Sequence, residues 1–593
     1  MIQRKLGNDV PNQSGADMLN TDEIKAAALK YAVLNAALHG GKAQSGPVLS
    51  KILSEFPGLR TRARELMPSV DEVVVEVNSW PLERQRSMLH DRWPELLAPK
   101  VVEEKKRLPP LADTDRFGEI RTRFAPNPDG PLHLGSARPI VLCDEYAKMY
   151  RGKFILRFED TSPEVKPPIP EMYDWIVDDL KWLGAEPDET YIQSDRLELY
   201  YRYAEKLLTM GAAYVCSCQP EKFKKCYLAE KACPCRELEP EAHLDRWEKM
   251  LDGTYGKGET VVRIKTDLHH PNPAIRDWPA LRISTSPHPK VDRRYRVWPL
   301  YNFSCAVDDH EMGISHIIRG KEHEVNTTRQ RYLFEYLDWE YPEIINVGRL
   351  GLEVGILSKS KIRAGVRAGE FTGWDDPRLG TLRALRRRGI RPEAIRELMI
   401  EVGPKPINAT LSWGNIASAN RRIIEPIANR YFFVADPVQM RVSGIEGELI
   451  ARHALHPDHP ERGTRDYVIK PEDGRASFVI SKNDAKGMEP GRVVRLMGLL
   501  NAEIIEVKHD CVFAKYHSKD HQQARVLEAP FIHWLQYSEN IDATVVMPDA
   551  SLSKGLAEPP CSNLDVGTMI QFERFGFVRV DSQIPFIAYY AHN

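Results

Sequence analysis

One stretch, residues 119–160, constrains the fold of this chain more than any other. Glu119 to Ala125 alternates in strand fashion, and a loop rich in proline and glycine follows. After Gly135 the sequence has helical length and apolar spacing, Gly152 ends the helix, and KFILRFED is typical of a buried strand. Strand, helix and strand in this order predict a parallel α/β sheet, in which ligands bind where strand ends meet helix starts.

The composition indicates a soluble protein of several domains. The chain has 593 residues, of which 28% are charged and 42% hydrophobic, and its formal net charge is −2. These values exclude a mostly disordered chain and a uniformly basic nucleic-acid coat. No apolar run approaches the roughly 18 residues of a membrane span, and the polar amino terminus lacks the apolar stretch of a signal peptide. We therefore expect a cytoplasmic protein with no membrane association.

Shifts in composition divide the chain into six segments. In the first, one helix starts at residue 21 and ends at Gly40-Gly41, and a second is predicted over 47–66. The stretch 363–403 is also predicted to be helical, and the tail has the short alternating strands of barrels or a sandwich. The predicted segments are a helical appendage with its linker (1–115), the first half of an α/β domain (116–215), a cysteine-bearing insertion (216–295), the second half of the α/β domain (296–365), a helical segment (366–424) and a β-rich tail (425–593).

The loop RFAPNPDGPLHLGSAR, residues 123–138, leads from the first strand into the helix. A helix N-terminus offers free N–H groups and positive potential, which suit a phosphate. Gly135 lets a flat base approach the backbone, and His133 can donate to phosphate oxygens. A His-x-Gly triplet alone also fits an ordinary surface turn. Its place directly after a strand favours a nucleotide site.

A second loop, GILSKSKI at residues 355–362, is cationic and lies among the glycines Gly351, Gly355 and Gly365. Lysine on such a flexible loop suits the negative charge that builds on departing pyrophosphate. Taken alone, the same loop also fits a solvated basic surface segment.

Five of the nine cysteines lie between Cys216 and Cys235. In a reducing compartment this crowding indicates a metal before a disulfide. Cys216-x-Cys218 and Cys233-x-Cys235 supply four thiolates, the ligand set of a closed tetrahedral zinc site. Cysteine pairs separated by one residue indicate a zinc site less specifically than the usual C-x₂-C spacing does. Ordinary free thiols stay the alternative, and Cys226 is interpreted as a bystander.

Together, the two loops resemble the HIGH and KMSKS signatures of class I aminoacyl-tRNA synthetases. The first reads His133-Leu134-Gly135-Ser136 and the second Ile356-Leu357-Ser358-Lys359-Ser360. Ser136 stands where the second His is usual, and Ile356 where the first Lys is usual. The likeness extends to glutamyl- and glutaminyl-tRNA synthetases, and especially to the archaeal type of the glutamyl enzymes, in the blocks RFAPNPDGPLHLGSAR, LRFEDT, VDDHEMGISHIIRGKEH, GWDDPRLGTLRALRRRGI and NRRIIEPIANRYFFV.

The resemblance implies a fold and an activity. The fold is a Rossmann-type catalytic core with an inserted acceptor-end domain, a helical N-terminal appendage, a helical stem-contact region and C-terminal antiparallel β-barrels that read the anticodon. In the implied reaction ATP, with Mg²⁺ sharing the phosphate charge, activates L-glutamate to glutamyl-adenylate, generally with tRNA bound, and the terminal ribose of tRNA(Glu) then takes the glutamyl group. Charging of tRNA(Gln) and protein partners of the N-terminal appendage are left open.

The resemblance also implies site residues. His133 and Lys359 are the implied catalytic residues, and the four paired cysteines would hold structural zinc that braces the insertion. The arginines of the helical segment are implied to contact tRNA phosphates, with a solvated helix face as the alternative. The implied ATP-binding residues are His133, Gly135, Ser136, Leu357, Ser358, Lys359 and Ser360, and the implied tRNA-binding residues are Arg383, Arg386, Arg387 and Arg388.

The choice between glutamate and glutamine depends on the amino-acid pocket. By resemblance its residues are Arg123, Glu159, Tyr301 and Arg319. Glutaminyl enzymes resemble one another in having Cys at the position of Arg319 and Asp at that of Glu159. An arginine side chain can bind a carboxylate through two parallel hydrogen bonds, whereas a bound glutamine would leave the arginine without a charge partner. Glutamate is therefore favoured. The alternative for Arg319 is a structural ion pair with Glu322 or Asp308.

Three rival functions stay open at this point. A glutaminyl-tRNA synthetase is opposed by Glu159 and Arg319. A tRNA-modifying glutamyl transferase, which lacks an anticodon module, is opposed by the tail 425–593. A catalytically inactive tRNA-binding paralogue is opposed by the retained histidine, glycine and lysine of the two signatures.

Overall fold

The chain divides into two compact units, residues 1–106 and 107–593. In the described part of the chain, no helix is long and apolar enough to cross a membrane. The amino-terminal residues and most of the predicted linker up to residue 106 lie outside that part. The structure, a computed structural model, describes residues 21–38, 41–56, 59, 62–93, 96, 107–353, 355–538 and 540–593.

The first unit is a small helical bundle. Ala28, Ala32 and Ala36 of its first helix are completely buried, and their small side chains let the other helices pack closely against it. The single helix predicted over 47–66 is wrong, because one helix ends at Glu55 and the next begins at Ala63. The helices are α1 (Thr21–Leu38), α2 (Ser45–Glu55), α3 (Ala63–Asn78) and α4 (Leu82–Arg92).

The second unit begins with the strand, loop, helix and strand that the sequence predicts. The second strand is buried on both faces, as expected for a parallel strand that helices cover. It pairs in parallel with the strands on either side. The elements are β1 (Arg121–Phe124), α5 (Leu134–Met149), β2 (Lys153–Phe158), α6 (Pro170–Trp182), β3 (Glu189–Ile192) and α7 (Leu197–Thr209).

An antiparallel sheet with two helices interrupts the parallel one. Its strands follow one another in order, and Trp247, Trp278 and Trp298 fill its core. The inserted elements are β4 (Ala213–Cys216), α8 (Pro220–Leu228), α9 (Pro240–Leu251), β5 (Val261–Ile264), β6 (Pro279–Ile283) and β7 (Val297–Pro299).

The chain then returns to the parallel sheet and completes it. The strand order is β3-β2-β1-β8-β9, with α10 (Tyr301–Glu311), β8 (His316–Gly320), α11 (Glu324–Leu337) and β9 (Glu343–Val347). On one side of the β1–β8 pair the sheet continues with β2 and β3, and on the other side it continues with β9. A doubly wound sheet of this kind opens a crevice at the carboxyl ends of its central strands, so the order predicts where a ligand binds. The Rossmann-type core expected from the sequence is confirmed.

The helical segment that follows is not the single helical stretch predicted over 363–403. Three helices occupy it, because Gly369 and Gly389 adopt positive φ angles of 72° and 85° just after two of them end. The elements are β10 (Leu350–Leu352), α12 (Lys359–Arg367), α13 (Leu382–Arg387), α14 (Pro392–Val402), β11 (Ala409–Leu411) and α15 (Trp413–Ile424).

The tail is β-rich as predicted and forms two seven-stranded sheets and a hairpin. The β-barrel-like sheets expected of the tail are confirmed, and their strand pairs are mostly antiparallel, whereas β14 runs parallel to β20 and β23 parallel to β27. The elements are β12 (Asn429–Tyr431), β13 (Phe433–Ala435), β14 (Pro437–Ser443), β15 (Leu449–Ala454), β16 (Thr464–Ile469), β17 (Arg475–Ser481), α16 (Lys482–Lys486), β18 (Val493–Leu496), β19 (Leu500–Val507), β20 (Cys511–Ser518), α17 (His521–Val526), β21 (Phe531–Ile532), β22 (Leu535–Gln536), β23 (Ile541–Val546), β24 (Leu552–Ala557), β25 (Met569–Phe572), β26 (Gly576–Gln583) and β27 (Phe586–His592).

Candidate active site

A cavity of about 780 Å³ opens at the carboxyl ends of the central strands. Arg123 comes from β1, Glu159 directly follows β2, and Arg319 comes from β8. Tyr301 is the first residue of α10 and completes the set. All four residues that the sequence assigns to the amino-acid pocket line this one cavity. Its size is in the usual range for ligand sites.

A network of buried charges lies at the base of the cavity. Asp309 Oδ1 accepts hydrogen bonds from Arg123 Nε at 3.1 Å and from Arg157 Nη1 at 2.7 Å. Arg157 Nη2 donates to Glu159 Oε1 at 3.1 Å, and the Cys305 thiol donates to the same oxygen at 2.9 Å. Burial opposes ionisation of Asp309, but the two guanidinium groups outweigh it and hold its pKa below the ordinary value. Arg123 and Glu159 are thereby fixed before a ligand binds.

Arg319 differs from Arg123 and Arg157 because its partners are neutral. Nη1 donates to Gln330 Oε1 at 3.0 Å, and Nη2 donates to Thr327 Oγ1 at 2.5 Å. The structural ion pairs considered for it do not form. Asp308 accepts instead from Arg196 at 2.9 Å, and Glu322 lies 3.7 Å from Arg349. Among the described residues no carboxylate pairs with this guanidinium, which therefore faces the cavity with its charge uncompensated.

The first signature segment lies at the start of α5. His133 is the N-cap residue of this helix. Burial, and then the nearby charge of Lys359, lower the pKa of His133 to about 4, so its imidazole is neutral at pH 7 and can donate one N–H. Its Nδ1 is buried and has no hydrogen-bond partner. A Cβ at Gly135 would approach the His133 ring to 3.0 Å, which explains why glycine suits this position.

The second signature segment meets the first. Lys359 is the first residue of α12, and its Nζ donates to Asp129 Oδ1 at 3.0 Å and to the main-chain oxygen of Asn127 at 3.3 Å. Gly380 joins both segments through the main chain. Its oxygen accepts from Leu134 N at 2.9 Å, and its N–H donates to Ile356 O at 3.1 Å. A neutral imidazole, a helix N-terminus and a lysine therefore converge, as a nucleotide phosphate site requires.

The remaining predicted ATP-binding residues belong to these same two segments. Ser136 N donates to His133 O at 2.8 Å in the first turn of α5. The hydroxyls of Ser358 and Ser360 lie 3.1 Å apart at the start of α12. The side chain of Leu357 packs against the hydrophobic core.

The four predicted metal ligands lie together in the insertion. The sulfur atoms of Cys216 and Cys233 are 3.9 Å apart, and those of Cys218 and Cys235 are 3.6 Å apart. Three of them, those of Cys216, Cys218 and Cys233, lie within 4.8 Å of one another. A tetrahedral zinc with Zn–S bonds of about 2.3 Å separates its sulfurs by about 3.8 Å. The thiol donors and the spacing of these three sulfurs therefore fit a metal such as zinc, and Cys235 lies outside the group of three.

The predicted tRNA-binding arginines divide into two groups. Arg383, Arg386 and Arg387 line a second cavity of about 680 Å³, which Arg579 of β26 also lines. Arg388 lies elsewhere, because it is 3% exposed and donates to the main-chain oxygens of β27. Burial lowers the pKa of Arg388 to about 10. Its role in the structure is to attach α13 to the last strand of the tail.

Several site residues were not found from the sequence. Arg157 and Asp309 lie inside two of the quoted blocks, where an arginine in the apolar strand KFILRF was a usable signal of a buried ion pair. Asp129, which holds Lys359, lies in the first loop but carries no signal of its own. Gln330 on α11 is also unmarked, because a lone glutamine in a helix gives no hint of its partner.

Comparison with known proteins now places the chain in a class. Residues 119–426 match the catalytic domain of tRNA synthetases class I (E and Q). Residues 428–517 and 531–581 match the anti-codon binding domain of the same class. The chain belongs to this family of class I aminoacyl-tRNA synthetases, which are ligases.

The individual relatives are described as glutamate–tRNA ligases. A glutamate–tRNA ligase of Thermococcus kodakarensis is 54% identical over 577 residues, 96% of this chain and 100% of that protein. Another, of Thermococcus onnurineus, is 52% identical over 582 residues, 97% of this chain and 100% of that protein. A crystal structure of a glutamate tRNA ligase from Elizabethkingia meningosepticum is 24% identical, with a TM-score of 0.38, and covers 52% of this chain and 70% of that one.

Proposed function

We propose that the chain is a glutamate–tRNA ligase that activates L-glutamate with ATP and transfers it to the 3′-terminal adenosine of tRNA(Glu) in translation. The observation that carries the proposal is the uncompensated charge of Arg319 in the cavity wall. A cation held ready by neutral groups suits the side-chain carboxylate of glutamate and has no partner in glutamine. The relatives named glutamate–tRNA ligase support the same substrate. Translation takes place in the cytoplasm, which is the location we propose.

The pocket residues divide the recognition of glutamate between them. Arg319 takes the side-chain carboxylate, Glu159 takes the ammonium group, and Arg123 takes the α-carboxylate, with Tyr301 closing the wall. Glu159 and Arg123 do not need to reorganise when the ligand binds, because the network around Asp309 already fixes them. Such preorganisation lowers the free-energy cost of binding.

The nucleotide site acts mainly by position and charge. The α-carboxylate of glutamate attacks the α-phosphate of ATP, and pyrophosphate leaves. Neutral His133 donates a hydrogen bond to phosphate oxygens, and Lys359 releases Asp129 to stabilise the departing pyrophosphate. Mg²⁺ bound with ATP shares the phosphate charge. No covalent nucleophile is needed.

The tRNA is held by three further regions. We assign the acceptor end to the insertion, the anticodon to the tail and the intervening backbone phosphates to Arg383, Arg386 and Arg387. Arg388 is left out of this set because its guanidinium is buried. The N-terminal bundle is assigned to docking of a protein partner.

Aminoacylation with two tRNAs and two amino acids tests the function. We expect glutamate to be attached to tRNA(Glu), with discrimination against glutamine by a factor of about 10⁴ or more. Pyrophosphate exchange should appear only when tRNA is present. Preferential use of glutamine would instead establish a glutaminyl enzyme, and no exchange with either amino acid would establish an inactive paralogue.

The paired cysteines are assigned to one structural zinc. Cys216, Cys218 and Cys233, whose sulfurs lie within 4.8 Å of one another, would hold it, with Cys235, 3.6 Å from Cys218, as the fourth ligand. Arg246 Nη1 lies 3.3 Å from Cys235 Sγ and would offset part of the negative charge of such a site. The zinc would brace the insertion and takes no part in the chemistry.

Metal analysis tests the zinc assignment. We expect about one zinc per chain, the content of a single closed site, and a lower content in each of the variants Cys216→Ser, Cys218→Ser, Cys233→Ser and Cys235→Ser. Cys226→Ser is the matched control, because this cysteine packs beside the cluster without belonging to it, and it should keep its zinc. The loss should reduce glutamyl transfer more than adenylate formation. Wild-type protein that contains no zinc would leave these residues as plain thiols.

A further inference from the structure

The groups that surround the amino-acid cavity carry an unequal number of charges. Two guanidinium groups and two carboxylates form a balanced network at the base of the cavity, and Arg319 adds a third guanidinium that has only neutral partners, so these five groups carry one positive charge in excess. A third carboxylate, Asp308, lies 3.9 Å from Arg157 Nε and pairs with a further guanidinium, that of Arg196, at 2.9 Å, so this pair leaves the excess unchanged. The cluster becomes neutral only with a ligand that carries one net negative charge, as glutamate does and glutamine does not. Its members are Arg123, Arg157, Arg319, Glu159 and Asp309.

Gln330 keeps the excess positive charge on Arg319 free of an acidic partner. It lies on α11, is 1% exposed, and accepts hydrogen bonds at Oε1 from Arg319 at 3.0 Å and from the Tyr341 hydroxyl at 3.2 Å. An amide oxygen orients a guanidinium without neutralising it. A carboxylate at the same place would form an ion pair with Arg319 in the free enzyme.

We propose that Gln330 is a specificity-determining residue that acts through Arg319: its neutral amide aims this guanidinium into the cavity and leaves the charge free for the substrate. Gln330 is a positioning residue and does not touch the amino acid. The inference rests on the proposed function, because it concerns the choice between glutamate and glutamine at the same pocket. According to this inference, the discrimination between glutamate and glutamine depends partly on Gln330, which lies behind the pocket wall.

The physical reason is the cost of an unbalanced charge in a buried site. In the wild-type protein, where residue 330 is glutamine, binding of the substrate glutamate makes the cluster neutral. Binding of free glutamine leaves one positive charge of the cluster unpaired. With glutamate at residue 330, the free cluster is already neutral. Substrate glutamate would then add an unpaired negative charge, whereas substrate glutamine would add none, and burial makes each unpaired charge unfavourable.

The test is the variant Gln330→Glu, which changes charge at nearly constant shape. We expect the ratio of kcat/KM for glutamate to that for glutamine to fall by about 10²-fold or more, the order expected when a close buried charge contact is lost. The change should appear mainly as a higher KM for glutamate. The KM for ATP should be unchanged, because the nucleotide segments do not contact Gln330.

Gln330→Met is the matched control, since it has similar length and no charge. It removes the hydrogen bond to Arg319 but adds no carboxylate, so we expect the ratio to fall by less than about 10-fold, the order of one ordinary hydrogen bond. A fall as large as that of Gln330→Glu would show that orientation alone matters and would overturn the charge argument. Thr327→Asp places a carboxylate at the other neutral partner of Arg319 and should reproduce the result of Gln330→Glu in a second position.

The outcomes separate this inference from the proposed function. A wild-type enzyme that prefers glutamate, together with Gln330→Glu and Thr327→Asp variants that keep the wild-type ratio, overturns the role of Gln330 and leaves the function standing. A wild-type enzyme that does not use glutamate overturns both. A wild-type preference that collapses in both acidic variants and survives in Gln330→Met establishes the inference.

Discussion

Replacing Arg319 with cysteine should abolish most of the preference for glutamate. The substitution removes a pocket guanidinium whose hydrogen-bond partners are both neutral, and it opens a space near the side-chain end of the amino acid. Glutamate should lose on the order of 2–5 kcal/mol of transition-state binding, the range for a broken buried charge pair. Glutamine should lose much less. The measurement is kcat/KM for both amino acids in the wild type and in Arg319→Cys.

Arg319→Lys is the companion variant. It keeps the charge but replaces the planar fork with a single ammonium, so glutamate should retain part of its advantage. If Arg319→Cys leaves the ratio of the two amino acids at the wild-type value, selectivity resides elsewhere in the cavity. Arg123 and Tyr301 would then be the next residues to examine.

The second large effect is expected at Lys359. Lys359→Ala should lower the rate of adenylate formation by about 10²–10³-fold, the usual scale for one donor that stabilises transition-state charge. Glutamate affinity should change little, because Lys359 does not itself line the amino-acid cavity and contacts the first signature loop at Asp129 and at the main-chain oxygen of Asn127. A single-turnover measurement with tRNA and saturating ATP gives the rate directly.

Arg367→Ala provides the control for this experiment. Arg367 is an exposed cation at the other end of the same helix, α12, so its removal tests whether loss of any positive charge there slows the reaction. The control should keep the wild-type rate. A Lys359→Ala enzyme that also keeps it would remove Lys359 from the mechanism.

The sequence was sufficient to predict those parts of the fold and site that depend on residues close together in the chain. The β1–α5–β2 unit follows from a short run of alternation, glycine and proline, and the two signature segments follow from the kinds of residue in two loops. The pocket set of Arg123, Glu159, Tyr301 and Arg319 was obtained by resemblance, and the structure brings all four to one cavity. That agreement concerns their location, and their roles remain predictions.

The partners of those residues could not be predicted, because they depend on distant parts of the chain. Arg123 on β1 and Asp309 on α10 are 186 positions apart and meet only in the folded chain. Arg319 was expected either to bind substrate or to pair with a nearby acid, and its actual neutral partners are on α11. Arg388 looks identical in sequence to its exposed neighbours, yet packing against β27 buries it.

Gly380 explains how this chain tolerates an unusual pair of signatures. The two departures, Ser136 and Ile356, alter side chains, whereas the link between the two segments consists of peptide groups at Leu134, Gly380 and Ile356. Every residue except proline carries the same peptide groups, so exchanging the side chain at Ser136 or Ile356 leaves this link intact. The link depends instead on glycine at position 380, because a Cβ there would lie 2.3 Å from Leu357 Cδ2. The two departing side chains can therefore vary while the main-chain connection between the two signature segments is kept.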